Sequence, residues 1–447
     1  MDGKGQAPAL HVANPVSRGL ARALASALGM TALASPFAAT AAGTYIVNTT
    51  GDPGPLGSLS LRQAIAAADA SDGNTVQFAA SLAHSTITLT TGNIPISSAI
   101  SIVGPGADNI TISGGNASRI FHPSCSTNKL VSISGLTLSD GNAGAQNGGA
   151  ILSLGCKLSL SDVHITNSHA RSGGGVVFDS GTISNSVISG CHADNSGGAI
   201  AVYGGTGNRY INTSTIESNT AVKGGGGVFV DDVNFGNSSA FARISQSTIN
   251  NNHVTATVEP LYGGGGIAVV HSKLELYYST VTQNQSYSKG GGVTFADTYS
   301  ANLGDILRAT VVHNSAFKTG GNGIYAPGAT VFLDSSIVAD NFSIYGLSDL
   351  AGSALVIYSL IQSPNGNTVT GEGALVGADP NLAPLDDNGG PTKTMLPNPG
   401  SPVIDAVNFC FNKDQRGLNC VNGKADMGSV ERQNPEVIIF RDGFDSG

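Results

Sequence analysis

The residues best suited to chemistry recur at one position of a repeated glycine-rich unit. In "GGGVVFD", "GGAIAVY" and "GGGVFVD", the third residue after the first aliphatic is Asp179, Tyr203 and Asp231. If each unit is one coil of a stack, Asp179 and Asp231 stand two coils apart, about 9.6 Å at about 4.8 Å per coil. Inverting glycosidases hold an acid and a base carboxylate about 6.5–9.5 Å apart. A tyrosine between two such acids offers a face to a sugar ring. Asp232 adds an oxygen of the kind that ligates calcium. The plainer alternative is that acids at strand ends of an acidic chain are simply solvated.

Two histidines raise a second question. His169 and His192 each stand four residues after an aliphatic marker, Ile165 and Ile188. One coil apart, they would stack and offer two imidazoles to a metal. The same position in the next unit is Thr220, so the spacing supplies no third ligand. Stacked turn residues are therefore expected, and no metal site is assigned. Asp386–Asp387 is a lone acidic pair. The NTD, DD, GHG and RIK signatures of polygalacturonases do not occur as a set, and no acidic cluster with an Arg or Lys base stands out. No catalytic residue is assigned.

What must position these side chains is the repeat itself. The aliphatics after each glycine pair are Ile151, Val176, Ile200, Val228, Ile267 and Val293, with Ile324 after the degenerate "GGNG". A second element alternates with them in "STIESN", "STINNN", "STVTQN", "ATVVHN" and "SSIVADN". Repeats of about 20–50 residues signal solenoids, propellers or arrays. Propeller blades need four strands each, and helical periodicity is missing here, so one unit reads as one coil of a parallel β-helix of ten to twelve coils. The glycines suit corners that need left-handed backbone angles. Asn219, Asn252, Asn284 and Asn314 each follow their marker by three residues and are expected to stack as a structural amide ladder. Markers and the residues two further on (Phe178, Val202, Val230, Val269, Phe295) should point inward, and the residues between them outward.

The same register pairs cysteines. Cys125 lies five after Ile120 and Cys156 five after Ile151, so one coil would bring their Cα atoms into disulfide range, about 4.4–6.8 Å. Cys410 and Cys420 share one short loop and form the second expected bond; Cys191 is left over. Disulfides fit an exported chain. So does the N-terminus: Lys4, Arg18 and Arg22 precede the apolar "LASALGMTALASPF" and the small residues "AATAAG", the pattern of a signal peptide. With 11% charged residues, 61 glycines, no tryptophan and a net charge of -9, nucleic-acid binding is not expected. The 40% of hydrophobic residues excludes a disordered chain. No later run is long enough for a transmembrane anchor.

Several stretches resemble known families. "LSLRQAI" is similar to the CSLREA motif near the start of exported bacterial β-helix proteins, with Leu59 in place of the Cys and Gln63 in place of the Glu. The "GGAI" units resemble the GGA[ILV] repeats of chlamydial polymorphic outer membrane proteins, with [IV]xxN where those have FxxN. "DNGGPTKTMLPNPGSPVIDAV", "DQRG" and "DMGSVE" resemble the choice-of-anchor Q domain, which closes a right-handed β-helix. "IIFRDGFDSG" resembles the IF-x-DGFE tails of exported gammaproteobacterial proteins. These resemblances imply a right-handed parallel β-helix, secreted or held on the surface of a Gram-negative bacterium. They imply no particular reaction. Polymorphic outer membrane proteins act as adhesins, but this chain lacks their C-terminal barrel strands.

The expected organisation is a signal peptide over 1–42, an N-terminal cap with a helix over 43–75, the β-helix over 76–369, a C-terminal cap over 370–433 and a tail over 434–447. The leading expectation for function is adhesin-like or glycan binding by a monomer, with Asp179, Tyr203, Asp231 and Asp232 as the candidate face. A pectinase-like polysaccharide lyase or glycoside hydrolase and a structural envelope spacer are the alternatives. No cofactor is expected beyond a calcium ion at Asp232.

Overall fold

The computed structural model describes residues 42–433, apart from stretches at 205–206, 233–240, 257–261, 297–301, 319, 365–366, 368, 370 and 411–412. The signal peptide and the C-terminal tail expected from the sequence lie outside the described residues. Successive strands pair in parallel with strands one coil away, giving an all-β solenoid of about 11 coils. Each coil contributes strands to three lateral faces. In one coil these are Val176–Phe178 on the glycine face, Gly181–Ser184 on the second face and Val187–Ser189 on the third. A two-residue step, His192–Ala193, starts the turn back and belongs to a separate ladder of such steps.

The inward columns are built as their period demands. Ile165, Ile188, Ile216, Ile249, Val281 and Val311 stack on the third face, and Phe178, Val202, Val230, Val269 and Phe295 on the glycine face, all buried. The outward residues between the glycine-face markers are buried too. Val177, Ala201, Phe229, Ala268 and Val270 form a separate apolar cluster outside the main core, joined by Tyr203 and Tyr262. Alternation gave the direction of these side chains correctly but not their exposure.

The two glycines of each pair have different tasks. Gly173 holds φ +60°, a left-handed angle that costs a Cβ-bearing residue about 1 kcal/mol or more. Gly174 has an ordinary φ, but a Cβ there would lie 2.3 Å from the Gly198 carbonyl of the next coil. Coils approach too closely at that point for any other residue.

The asparagine ladder runs as one donating chain. Asn219 Nδ2 donates to Asn252 Oδ1 at 3.0 Å, Asn252 to Asn284 at 2.9 Å, and Asn284 to Asn314 at 3.0 Å. It continues through Asn341 (2.9 Å) and ends on Asp349 Oδ1 (2.8 Å), which accepts without needing to donate. Burial pushes the Asp349 carboxyl up to about 6. The left-handed residue is not the ladder asparagine but the one before it: Ser218, Asn251, Gln283 and His313. Cys191 heads the column, its backbone N–H donating to Asn219 Oδ1 at 2.9 Å. Its thiol is buried and pushed up to about 12 by that burial.

Both expected disulfides form. Cys125 and Cys156 have Cα atoms 4.9 Å apart, and Cys410 and Cys420 5.8 Å. The register around the first differs by one residue from the sequence reading. Phe121, not Ile120, pairs with Ile151, and Gly155 at φ +72° supplies the extra residue that realigns the cysteines.

The helix Leu61–Ala68 covers the first coils through Leu61, Ala64, Ile65 and Ala68, the i, i+3, i+4, i+7 stripe of an amphipathic helix. Gln63 closes a capping box with Ser60, so it does there what the Glu of the resembled motif would do. Parallel pairing already begins at Thr44–Val47 against Thr75–Phe78. At the other end Leu375–Val376 still pairs with Leu360–Ile361. The Pro- and Asp-rich segment beyond it runs along the third face, where Met395, Val403, Val407, Ala425 and Met427 join Val312, Ile337, Ala339 and Leu360 in a second core. Gln415 and Ser429 bond Thr248, Thr280 and Thr310, which are outward residues of three successive coils.

Candidate functional site

The acid column lies in register as the repeat requires: Phe178 pairs with Val202, and Tyr203 pairs directly with Asp231. The two carboxylates turn apart, however. Asp179 Oδ2 accepts from the Gly155 N–H of the preceding coil at 2.8 Å, and Asp231 Oδ1 lies 3.2 Å from His271 Nδ1 of the following coil. Burial raises both carboxyls above their ordinary range, against the Gly155 N–H and Arg209 for Asp179 and against His271 for Asp231. Tyr203 packs edge-on to Phe229, with ring centroids 6.0 Å apart, inside the outer apolar cluster. Its hydroxyl is likewise raised by burial.

The partner that the sequence did not reveal is Arg209. It sits in an inward column whose neighbouring coils hold Gly181, Ala242 and Leu274, and it is 1% exposed. Its Nε donates to the Asp179 carbonyl at 3.0 Å and its Nη2 to the Gly204 carbonyl, while Nη1 lies 3.8 Å from Asp232 Oδ2. One guanidinium thus ties together three consecutive coils. Burial lowers its pKa against the pull of Asp232 and Asp179. Asp232 thus already has a cation beside one of its oxygens.

A different region gathers long polar and aromatic side chains. On the second face one outward column reads Ser132, Ser159, Thr182, Tyr210, Arg243, Glu275 and Asp305. Small hydroxyls give way to long side chains at the coil of Tyr210. Arg243 lies over three rings, 5.7 Å from Tyr210, 5.2 Å from Phe241 and 5.2 Å from Tyr277. It also donates to Glu275 Oε2 at 2.7 Å. Partial burial works against its charge, and Glu275 more than offsets that, leaving the pKa raised. Lys273 bridges Glu275 and Asp305. Beside this array lies a groove of about 580 Å³ lined by Arg243, Ser245, Gln246, Tyr277, Tyr278 and Lys413. Its lining charges are both cationic, on a chain of net charge -9. Lys413 comes from the C-terminal segment, anchored beside it where Gln246 Nε2 donates to the Asp414 carbonyl. The signal that could have found this site is the change of residue size along one column, read in the register of the second face.

The two histidines stack as expected, in register, with ring centroids 5.4 Å apart. A third group, not evident from the next coil, comes from the same coil as His192. Asp194 Oδ1 lies 3.0 Å from His169 Nε2 and 3.4 Å from His192 Nε2.

No helix among the described residues is long and apolar enough to cross a membrane. No protein-family model matches the chain, and no curated protein matches it. Among solved structures it is similar to the crystal structure of pectate lyase Pel9A, at TM-score 0.50 and 13% identity, over 88% of this chain and 96% of that one. The chain therefore shares the parallel β-helix architecture of that pectate lyase.

Proposed function

We propose that this protein binds acidic polysaccharide along its second face, as an adhesin-like or glycan-binding protein displayed outside the cell. The observation that carries this reading is the groove in which Arg243 and Lys413 flank Tyr277 and Tyr278. Tyrosine rings present flat apolar faces to sugar rings, and a guanidinium meets a carboxylate through a planar fork. A uronate-containing chain offers both partners. The pectate lyase of similar fold acts, by its name, on an acidic polysaccharide. The disulfides support an oxidising compartment. Asp179, Asp231 and Asp232 turn toward Gly155, His271 and Arg209 respectively, which favours a binding face on the second face in this reading.

The test is retention of the purified protein on immobilised polygalacturonate against a neutral glucan, with soluble products assayed in parallel. Retention on the uronate polymer alone, lost in Arg243→Ala, is the expected result. Equal retention on both polymers, or none, overturns it. The second reading, a polysaccharide lyase, rests on the fold likeness. It replaces the first if unsaturated sugars are released and their release is lost in Asp179→Asn or Asp231→Asn.

A further inference from the structure

We infer that His169, His192 and Asp194 form a site for a divalent transition metal, zinc by chemical class, on the turn that follows the third face. His169 and His192 are successive members of one column, and Asp194 lies two residues beyond His192. The three candidate ligand atoms all lie within 4.8 Å of one another. Ligands about 2.0–2.1 Å from a tetrahedral zinc stand about 3.3 Å apart. The two nitrogen–oxygen separations here are 3.0 and 3.4 Å, and because the rings stack at 14° with centroids 5.4 Å apart, an imidazole must turn about χ2 to bring both lone pairs onto one ion. The side chains are 35%, 43% and 53% exposed, so an ion could enter and keep a fourth position open to solvent. Two imidazoles and one carboxylate favour zinc and its neighbours over calcium or magnesium, which prefer all-oxygen shells.

Hydrogen-bond chemistry around His169 strengthens the case. Its Nδ1 faces Asn142 Oδ1 at 3.4 Å. That amide is fixed in orientation, because its Oδ1 also accepts from the Gly144 N–H at 2.8 Å while its Nδ2 donates to the Asn116 carbonyl at 3.0 Å. An Nδ1–H tautomer of His169 would donate to that Asn142 oxygen and leave the Nε2 lone pair, on the side of Asp194, to a metal. A ligating histidine usually donates its other ring N–H to a carboxylate, a backbone carbonyl or water, and here the Asn142 amide oxygen stands in that place. The bound ion would clasp two consecutive coils.

The experiment uses the full chain without a histidine tag. Zinc is titrated against a competing chromophoric chelator, and cobalt is added separately to read coordination from its visible absorption. One equivalent of zinc with micromolar affinity, and a tetrahedral cobalt spectrum, are expected. His192→Ala and Asp194→Asn should each weaken binding about tenfold or more, and Asn142→Ala by about tenfold. His253→Ala, in the same column but beside Gln285, should leave it unchanged. Circular dichroism verifies each fold, and His192→Gln replaces His192→Ala if that variant fails to fold. Absence of stoichiometric zinc binding overturns the inference, as does undiminished binding in His192→Ala.

Discussion

Two regions of one solenoid hold charged side chains beside aromatic rings, and they are finished in opposite ways. At the corner between the glycine face and the second face, Asp179, Arg209, Asp231 and Asp232 bond to groups of neighbouring coils, and Tyr203 packs into an apolar cluster. On the second face, Arg243, Tyr277 and Lys413 line an open groove. Both regions combine an arginine with tyrosine. The difference is access: the corner turns its polar groups inward and ties them between coils, while the groove sets Arg243, held over its rings and bonded to Glu275, beside the exposed Lys413. Residue type in a repeat column marks where chemistry is possible, and access to solvent decides whether it is left over for a ligand.

The largest expected effect breaks the corner. Arg209→Ala removes a buried cation that faces Asp232 and holds two backbone carbonyls. Breaking a buried pair from one side costs about 3–5 kcal/mol. Thermal unfolding should show a clear loss of stability. Arg209→Met, of a size closer to the Leu274 of its column, should lose less than Arg209→Ala. Polysaccharide binding by the folded fraction should be unchanged in both. If Arg209→Ala is as stable as the wild type, the corner is not the staple that its geometry implies.

The next test sharpens the contrast from the other side. Tyr277→Ala removes a ring from the groove, and Arg243→Ala removes the cation held over three rings. Exposed cation–π and stacking contacts are worth about 0.5–1.5 kcal/mol each. Arg243→Ala should weaken polygalacturonate binding about tenfold by removing the fork that meets a uronate carboxylate, with a modest fall in melting temperature from the lost contacts to the rings and Glu275. Asp179→Asn and Asp231→Asn should change that binding by less than about twofold. Affinity measured for all four variants on one polymer checks the pair of expectations together. A larger loss in the aspartate variants would move the binding face to the corner.

How much of this was legible in the sequence depends on which side chains are local to the repeat. Glycine pairs and [IV]xxN steps gave the coil, and with it the amide ladder from Asn219 to Asn314, which repeats one residue type at a constant offset. They also brought Cys125 to Cys156, through a register one residue from the observed one, while Cys410–Cys420 followed from one shared loop. Arg209 was invisible because its column holds Leu158, Gly181, Ala242 and Leu274, so nothing in the repeat marks an arginine there. The groove was hidden for a related reason. Its columns lie on the second face, whose register after Tyr203 is offset by insertions of unequal length, so Tyr210, Arg243 and Glu275 align only once the coils are paired. Asp194 is not marked by the histidine column, because it stands two residues beyond His192 rather than at the same position of the next coil.

The smallest expected effect is a pH dependence that ties the groove to the C-terminal segment. Glu431 is buried there, and burial, with Asp426, Asp414 and Asp405 nearby, pushes its carboxyl up to about 8 from an ordinary 4.5. Its backbone N–H donates to Asp414 Oδ2 at 3.0 Å, one residue from Lys413 of the groove. The unfolded chain releases this proton near 4.5, while the folded chain keeps it to about 8. The stability it contributes is therefore fully present below 4.5, declines as pH rises between those values, and is lost as pH passes about 8. Asp349, raised to about 6 at the end of the amide ladder, acts in the same direction over a narrower window. Melting measured between about pH 5 and about pH 9 should fall with rising pH, and Glu431→Gln should flatten part of that slope. Polygalacturonate affinity should weaken about twofold over the alkaline half of the range in the wild type and less in Glu431→Gln, because Lys413 is placed by the segment that Glu431 helps to hold. An unchanged slope in Glu431→Gln would show that the segment is held by its apolar contacts to Ile337 and Leu360, and that the groove does not depend on this carboxyl.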